Sequence, residues 1–134
     1  DEIHEASNGA EALEIIKTKE FDTILSDIEM PQMNGLRFLA FVRSLGQMTP
    51  FVVLTAHGDH TKALEALSLG AFDFITKGSK KKYVIESVCA ALKIGREMKD
   101  AQNDYERSNH LKKLYTDMSK SSEMRLRKII EEMS

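Results

Sequence analysis

The sequence predicts an α/β domain built on a parallel sheet with crossover helices, and two observations carry that expectation. Short apolar runs rich in β-branched and aromatic residues alternate with longer stretches of helical repeat, which is how strands joined by covering helices read in sequence. One run, Phe51-Val52-Val53-Leu54, is continuously apolar, as expected of a strand buried on both faces. The chain has 134 residues, enough for one domain with a real core and a remainder too short to fold alone.

Taken in order, Ile3 to Ala6 reads as a weak strand, followed by a helix capped by Ser7 or Asn8 with Ala12, Leu13 and Ile16 on its inner face. Phe21 to Ser26 is a stronger strand ending at Asp27. The next helix carries Phe38, Phe41, Val42 and Leu45 at i, i+3, i+4, i+7 and stops at Gly46. The Phe51 strand ends at Thr55, and a helix marked by Ala63, Leu64 and Leu67 closes at Gly70. Phe72 to Thr76 is the last strand. It leads through Lys77, Gly78 and Ser79, with Ser79 as cap, into a helix packing through Val84, Val88, Ala91 and Leu92. Residues 1–99 form the globular part. Residues 100–134 read as a helical extension in two pieces and a coiled-coil candidate, with Tyr105, Leu111, Leu114, Met118, Leu126, Ile129, Ile130 and Met133 at helical spacing. The heptad phase slips around Ser119 to Ser122, where Ser121 or Ser122 would cap a new helix.

A formal net charge of −2 gives no global field for holding nucleic acid or an anionic membrane, so protein partners are expected. The single cysteine, Cys89, has no second thiol to pair with; it fits a reducing cytoplasm and reads as a small buried apolar residue. No apolar run is long enough to span a bilayer, and no signal-peptide pattern opens the chain. The chain opens at Asp1 rather than Met and stops at Ser134 in a helical pattern, which reads as a piece of a longer polypeptide.

In an open parallel α/β sheet, ligands bind outside the carboxyl ends of the strands. Asp27, Thr55 and Lys77 each stand at such an end, so successive strands deliver a carboxylate, a hydroxyl and an ammonium to one rim. The carboxylate can act as nucleophile toward a phosphoryl group, the hydroxyl can donate to a phosphoryl oxygen, and the ammonium can offset the added charge. Each residue alone has a blander explanation: a turn aspartate, a threonine satisfying backbone, a solvated lysine. Only the ordered trio lifts the functional reading above these.

The trio sits within a specific resemblance. Asp27 followed by Met30-Pro31 and Met33-Asn34-Gly35, then Leu54-Thr55-Ala56, Gly70-Ala71 and Phe74-Ile75-Thr76-Lys77, resembles the receiver domains of two-component response regulators. The resemblance runs from the first residues to near Lys99 and implies the flavodoxin-like doubly wound fold. It also implies that Asp27 accepts a phosphoryl group from a histidine kinase or phosphotransfer protein. By the same resemblance Thr55 and the Ala56 amide bind that group, Lys77 pairs with it, Phe74 is the switch aromatic, and Asp27 with the Glu29 carbonyl helps hold Mg²⁺.

Two departures stand out. The family's opening strand ends in an acidic pair that binds the metal, and this chain starts after that point; Asp1 and Glu2 precede the next strand and are not that pair. Mg²⁺ binding is therefore expected to be weak or absent here. The family usually carries a cis proline after the lysine, and here Gly78 stands there. A cis bond before glycine costs roughly 3 kcal/mol, so a trans, more mobile loop is expected, with Lys77 less well placed.

His57 and His60 read as solvated loop residues and Lys80 to Lys82 as a solvated face. The leading expectation is a binding switch, not a turnover enzyme. The rivals are a degenerate receiver serving as a dimerisation or scaffold module, and a regulatory front end of a larger enzyme. In the flavodoxin-like order 2-1-3-4-5, absence of the first strand separates the Ile3 to Ala6 and Phe21 to Ser26 strands. Cover for the bared surface is expected from direct pairing of those strands, from exchange between two copies, or from the Met124 to Met133 helix folding back. A homodimer through the C-terminal helices is favoured.

Overall fold

The computed structural model describes residues 3–30, 32–101, 112–113, 116–118, 120–125, 127–128 and 131. Its element order is α1 (Gly9–Thr18), β1 (Ile24–Asp27), α2 (Gly35–Ser44), β2 (Phe51–Thr55), α3 (His60–Ser68), β3 (Asp73–Thr76) and α4 (Lys81–Ala101). The strands form one parallel sheet in the order β1-β2-β3. A parallel ladder needs a crossover between neighbours, and α2 and α3 supply them.

Local chemistry sets the helix boundaries. Asn8 caps α1 by accepting the Glu11 N–H at 2.9 Å, and the Glu11 carboxylate reaches back to the Ser7 N–H at 3.1 Å. That reciprocal pair satisfies two amides the helix leaves open. Asn34 caps α2 through the Arg37 N–H at 2.9 Å, and Asp59 caps α3 through the Lys62 N–H at 3.3 Å. Gly46 and Gly70 follow α2 and α3 at φ 79° and 101°, the left-handed turn that glycine adopts without a Cβ penalty.

Two apolar layers cover the sheet. On one face Ile16, Ile28, Leu39, Val42, Phe51 and Val53 are buried together beneath α1, α2 and α3. On the other, Val52, Phe72, Ile75, Ala91, Met98 and Met118 form the core under α4. Phe51, Val52 and Val53 are fully buried, as the apolar run predicts.

Several expectations are corrected. Ile3 to Ala6 forms no strand: it has no ladder partner among the described residues, and Ile3 is 88% exposed. Direct pairing of that segment with β1 is therefore not the cover for β1's edge. The second strand starts at Ile24, not Phe21, because Asp22 and Thr23 turn toward α4 and Pro50. The last begins at Asp73, not Phe72. The buried face of α2 is Leu36, Phe38, Leu39 and Val42, which leaves Phe41 and Leu45 exposed. Ser79 does not cap α4. Its N–H closes a turn onto the Thr76 carbonyl at 3.1 Å, and the helix begins two residues later at Lys81. Cys89 lies on the outer side of α4 and is exposed, in line with its neighbour Ile85.

Part of the C-terminal segment packs on the domain through Met118, Ser122 and Arg125, while Leu126, Ile129 and Ile130, through which the fold-back was expected, lie outside the described residues. Met118 is buried against the α4-side core, and the Ser122 hydroxyl donates to the Ala71 carbonyl at 2.6 Å. Residues 120–125 are helical throughout, so Ser121 and Ser122 stand within a helical run rather than at a cap. Met124 is 70% exposed. Tyr105, Leu111, Leu114, Ser119, Leu126, Ile129, Ile130 and Met133 lie outside the described residues, as do Asp1, Glu2 and Pro31.

Gly95 is where α4 meets the loop before β1. A Cβ built there would stand 1.6 Å from the Asp22 carbonyl oxygen, a backbone atom with no freedom to yield. Gly95→Ala should therefore destabilise the domain by about 3 kcal/mol through overpacking. Urea unfolding would show this as a lower midpoint at unchanged slope, and an unshifted midpoint would mean that the helix and loop are not in this contact.

Candidate functional site

The register of the sheet aligns the strand ends. Asp27 pairs with Leu54 and Thr55 with Thr76, so β1 ends on Asp27, β2 on Thr55, and β3 one residue before Lys77. Backbone bonds hold the rim together: the Ile28 N–H donates to the Leu54 carbonyl at 3.1 Å and the Lys77 N–H to the Thr55 carbonyl at 2.7 Å.

On this frame the Lys77 Nζ lies 2.7 Å from Asp27 Oδ2. Asp27 Oδ1 accepts the Glu29 N–H at 3.0 Å, which fixes the carboxylate's rotation. Asp27 and Lys77 are one-third and nearly one-half exposed, so the pair is open to solvent and partly screened by water. Thr55 is buried at 3% exposure, and Ala56 follows it at the surface. The expected trio is thus brought together on one rim. Gly78 sits at φ 88° in a trans loop, since the described residues contain no cis peptide, and Lys77 reaches Asp27 from it without the proline. The lysine is well placed, contrary to expectation.

Phe74 is half-buried against the core under α2 and α3, opposite Val53 in the ladder. His57 is exposed, His60 opens α3, and Lys80 to Lys82 form an exposed face.

Beside Asp27 lies a pair that local pattern did not reveal. Lys62 forms a salt bridge with Glu29 and stands 3.8 Å from Asp59. Its ammonium is held above the usual lysine value, chiefly by the hydrogen bond to Glu29 and further by the charges of Glu29 and Asp59, while burial opposes the shift. A second missed residue is Asp73, a buried carboxylate between two phenylalanines in sequence. A charge in the middle of a buried strand signals a paired group, but it does not identify the partner.

The donor set for a metal is small. Asp27 offers a carboxylate already engaged by Lys77 and the Glu29 amide, and the Glu29 carbonyl is the other candidate. Among the described residues no cluster of three metal-ligating side chains exists. Mg²⁺ takes six oxygens in octahedral geometry, and these two donors alone do not fit a tightly held ion.

Comparison with known proteins agrees with this fold. Residues 2–89 match the response regulator receiver domain, and the chain belongs to that family. Its members are the receiver modules of two-component signalling, which work with histidine kinases or phosphotransfer proteins and generally bind Mg²⁺ at the phosphorylation site. The chain is 44% identical over 70 residues to the DNA-binding transcriptional regulator NtrC of Escherichia coli K12, covering 52% of this chain and 15% of NtrC. It is 39% identical over 92 residues to the transcriptional regulatory protein SrrA of Staphylococcus aureus NCTC 8325, covering 69% of this chain and 38% of SrrA. It therefore spans well under half the length of these curated relatives. Among solved structures, the receiver domain of the Francisella response regulator 1452 superimposes with a TM-score of 0.61 at 32% identity, over 66% of this chain and 73% of that one.

Because the folded-state value of Lys62 is raised above its ordinary 10.5, the Glu29 pair contributes fully below that value. The contribution is lost as pH rises through the raised value. Glu29→Gln should bring the Lys62 titration midpoint back down, as read from its side-chain carbon shifts by NMR. An unmoved midpoint would mean that the pair does not form in solution.

Proposed function

We propose that this receiver accepts a phosphoryl group on Asp27 from a histidine kinase or phosphotransfer protein. The observation that supports it most is the Lys77–Asp27 pair, 2.7 Å apart on the carboxyl rim of the sheet. A carboxylate oxygen of Asp27 attacks phosphorus, the P–N bond to the donor's phosphohistidine breaks, and the electron pair stays on the imidazole, which takes up a proton. Asp27 becomes an acyl phosphate. The Lys77 ammonium then offsets the added charge, while the Thr55 hydroxyl and the Ala56 amide take phosphoryl oxygens. Phe74 follows Thr55 and carries the change to the face formed by β3 and α4.

In this reading the domain is a binding switch rather than a turnover enzyme, and it works in the cytoplasm on protein partners. A net charge of −2 supports proteins over nucleic acid or membrane as the surfaces it meets. No helix among the described residues is long and apolar enough to cross a membrane. Pairing of two copies through the C-terminal helices would compete with the folded-back arrangement described above. The sparse metal donors favour a second reading, a receiver that acts as a phosphorylation-independent scaffold.

Incubation with a small phosphoramidate donor and Mg²⁺ separates the two. The expected result is slow, Mg²⁺-stimulated labelling that is sensitive to hydroxylamine, maps to Asp27 after borohydride trapping, and disappears in Asp27→Asn. The carboxamide is no nucleophile. Labelling that persists in Asp27→Asn, or that maps elsewhere, would overturn the assignment.

A further inference from the structure

The outer edge of β3 carries a built contact that the phosphoacceptor reading does not use. Asp73 is 8% exposed, and its carboxylate is held on three sides. Ser87 donates to Oδ2 at 2.7 Å, and the Phe74 N–H donates to Oδ1 at 2.8 Å. Arg125 closes the third side as a fork, Nε to Oδ1 at 2.9 Å and Nη2 to Oδ2 at 3.2 Å. The same guanidinium stands 5.7 Å from the centre of the Phe74 ring. Lys77, on the rim that holds Asp27, directly follows β3, three residues after Phe74. Ser122 and Met118 complete the contact, one on the Ala71 carbonyl and the other in the core beside Phe72 and Ile75.

Met118, Ser122 and Arg125 are each helical and are spaced i, i+4, i+7, the repeat of one helical stripe. Its apolar residue enters the core, its hydroxyl satisfies an edge carbonyl, and its fork neutralises a buried carboxylate. An edge strand presents unpaired backbone groups that another chain can capture, and this stripe takes up one carbonyl at the approach to it, that of Ala71, two residues before β3. The contact is nevertheless small: the Arg125 side chain is 40% exposed, and the bond to Ala71 is only part-buried. Segments held by few buried contacts open at low free-energy cost.

We propose that the Ala71–Asp73–Phe74 edge is a helix-docking site, occupied in cis by the chain's own Met118–Arg125 stripe, and that a signalling partner reads this face only by displacing that stripe. The partner it fits is a helix carrying an arginine one turn beyond a small hydroxyl residue, with a flexible apolar residue one turn before it. The fork to Asp73 supplies selectivity, because a lysine cannot make two parallel bonds to the carboxylate. This docking rests on contacts at β3 and not on phosphorylation, so it stands or falls separately from the role given to Asp27.

The test uses the full chain with Cys89→Ser to remove the exposed thiol and a nitroxide on Lys120→Cys. Docking in cis should broaden the amide resonances of Ala71 to Phe74 independently of protein concentration. Arg125→Ala should lower the ratio of docked to free segment about tenfold, the loss expected of a charge-assisted pair, with Arg125→Lys falling between. Asp27→Asn should leave the broadening as it is. Undiminished broadening in Arg125→Ala would overturn the proposal. So would broadening passed from a nitroxide-bearing copy to a separate isotope-labelled copy, which would assign the site to a second chain.

Discussion

Everything at the rim depends on the register of three parallel strands. Because Asp27 lies opposite Leu54 and Thr55 opposite Thr76, Asp27, Thr55 and Lys77 step outward by one position from strand to strand, and the Lys77 ammonium reaches back across the rim to Asp27. A slip of one residue in either ladder would turn the side chains of a whole strand to the opposite face. The continuous burial of Phe51, Val52 and Val53 guards against that, since both faces of β2 are covered by apolar layers. The ion pair is thus a consequence of core packing on either side of the sheet. Its own partly exposed charges contribute little to stability.

The two edges of the sheet are handled differently. Along β3, a helical stripe from the C-terminal part of the chain pairs with an edge carbonyl and with Asp73. Along β1, an open groove of about 400 Å³ runs from His4 and Phe21 past Leu25 to Asp27 and Met30, and Leu25 is 46% exposed. The edge of His4 packs on the Phe21 ring at 5.4 Å, which lines the groove without filling it. Arg43 ties the base of the sheet by donating to the carbonyls of Gln47, Thr49 and Gly70, so the turns after α2 and α3 are fixed to each other.

How much could be read from sequence follows the range of the interactions. Asp27, Thr55 and Lys77 were legible because each ends a strand, and strand ends are marked by local pattern together with the rule that parallel sheets bind ligands at their carboxyl side. Helix caps were legible at Asn8 for the same local reason. Ile3 to Ala6 has strand-like composition but no partner strand among the described residues, and pairing is not encoded in the strand itself. The face of α2 was off by one position because Leu36 and Leu39 carry the burial that Phe41 and Leu45 were expected to share. Arg125 and Asp73 are 52 residues apart, and no periodicity links one arginine among several basic residues of the C-terminal segment to a carboxylate in a strand.

The position of Phe74 gives those two distant features a common mechanical element. Successive side chains of a strand point to opposite faces, so Asp73 and Ile75 lie toward α4 while Phe74 lies toward α2 and α3. Arg125 straddles the strand, bonded to the carboxylate on one face and close to the aromatic ring on the other. At about 3.3 Å per residue, Lys77, the first residue beyond β3, is roughly 10 Å from Phe74, and its amide is bonded to Thr55. The rim and the Arg125 contact therefore meet on one short strand but draw on separate bonds, Lys77 on the Thr55 carbonyl and the Asp27 carboxylate, Arg125 on the Asp73 carboxylate.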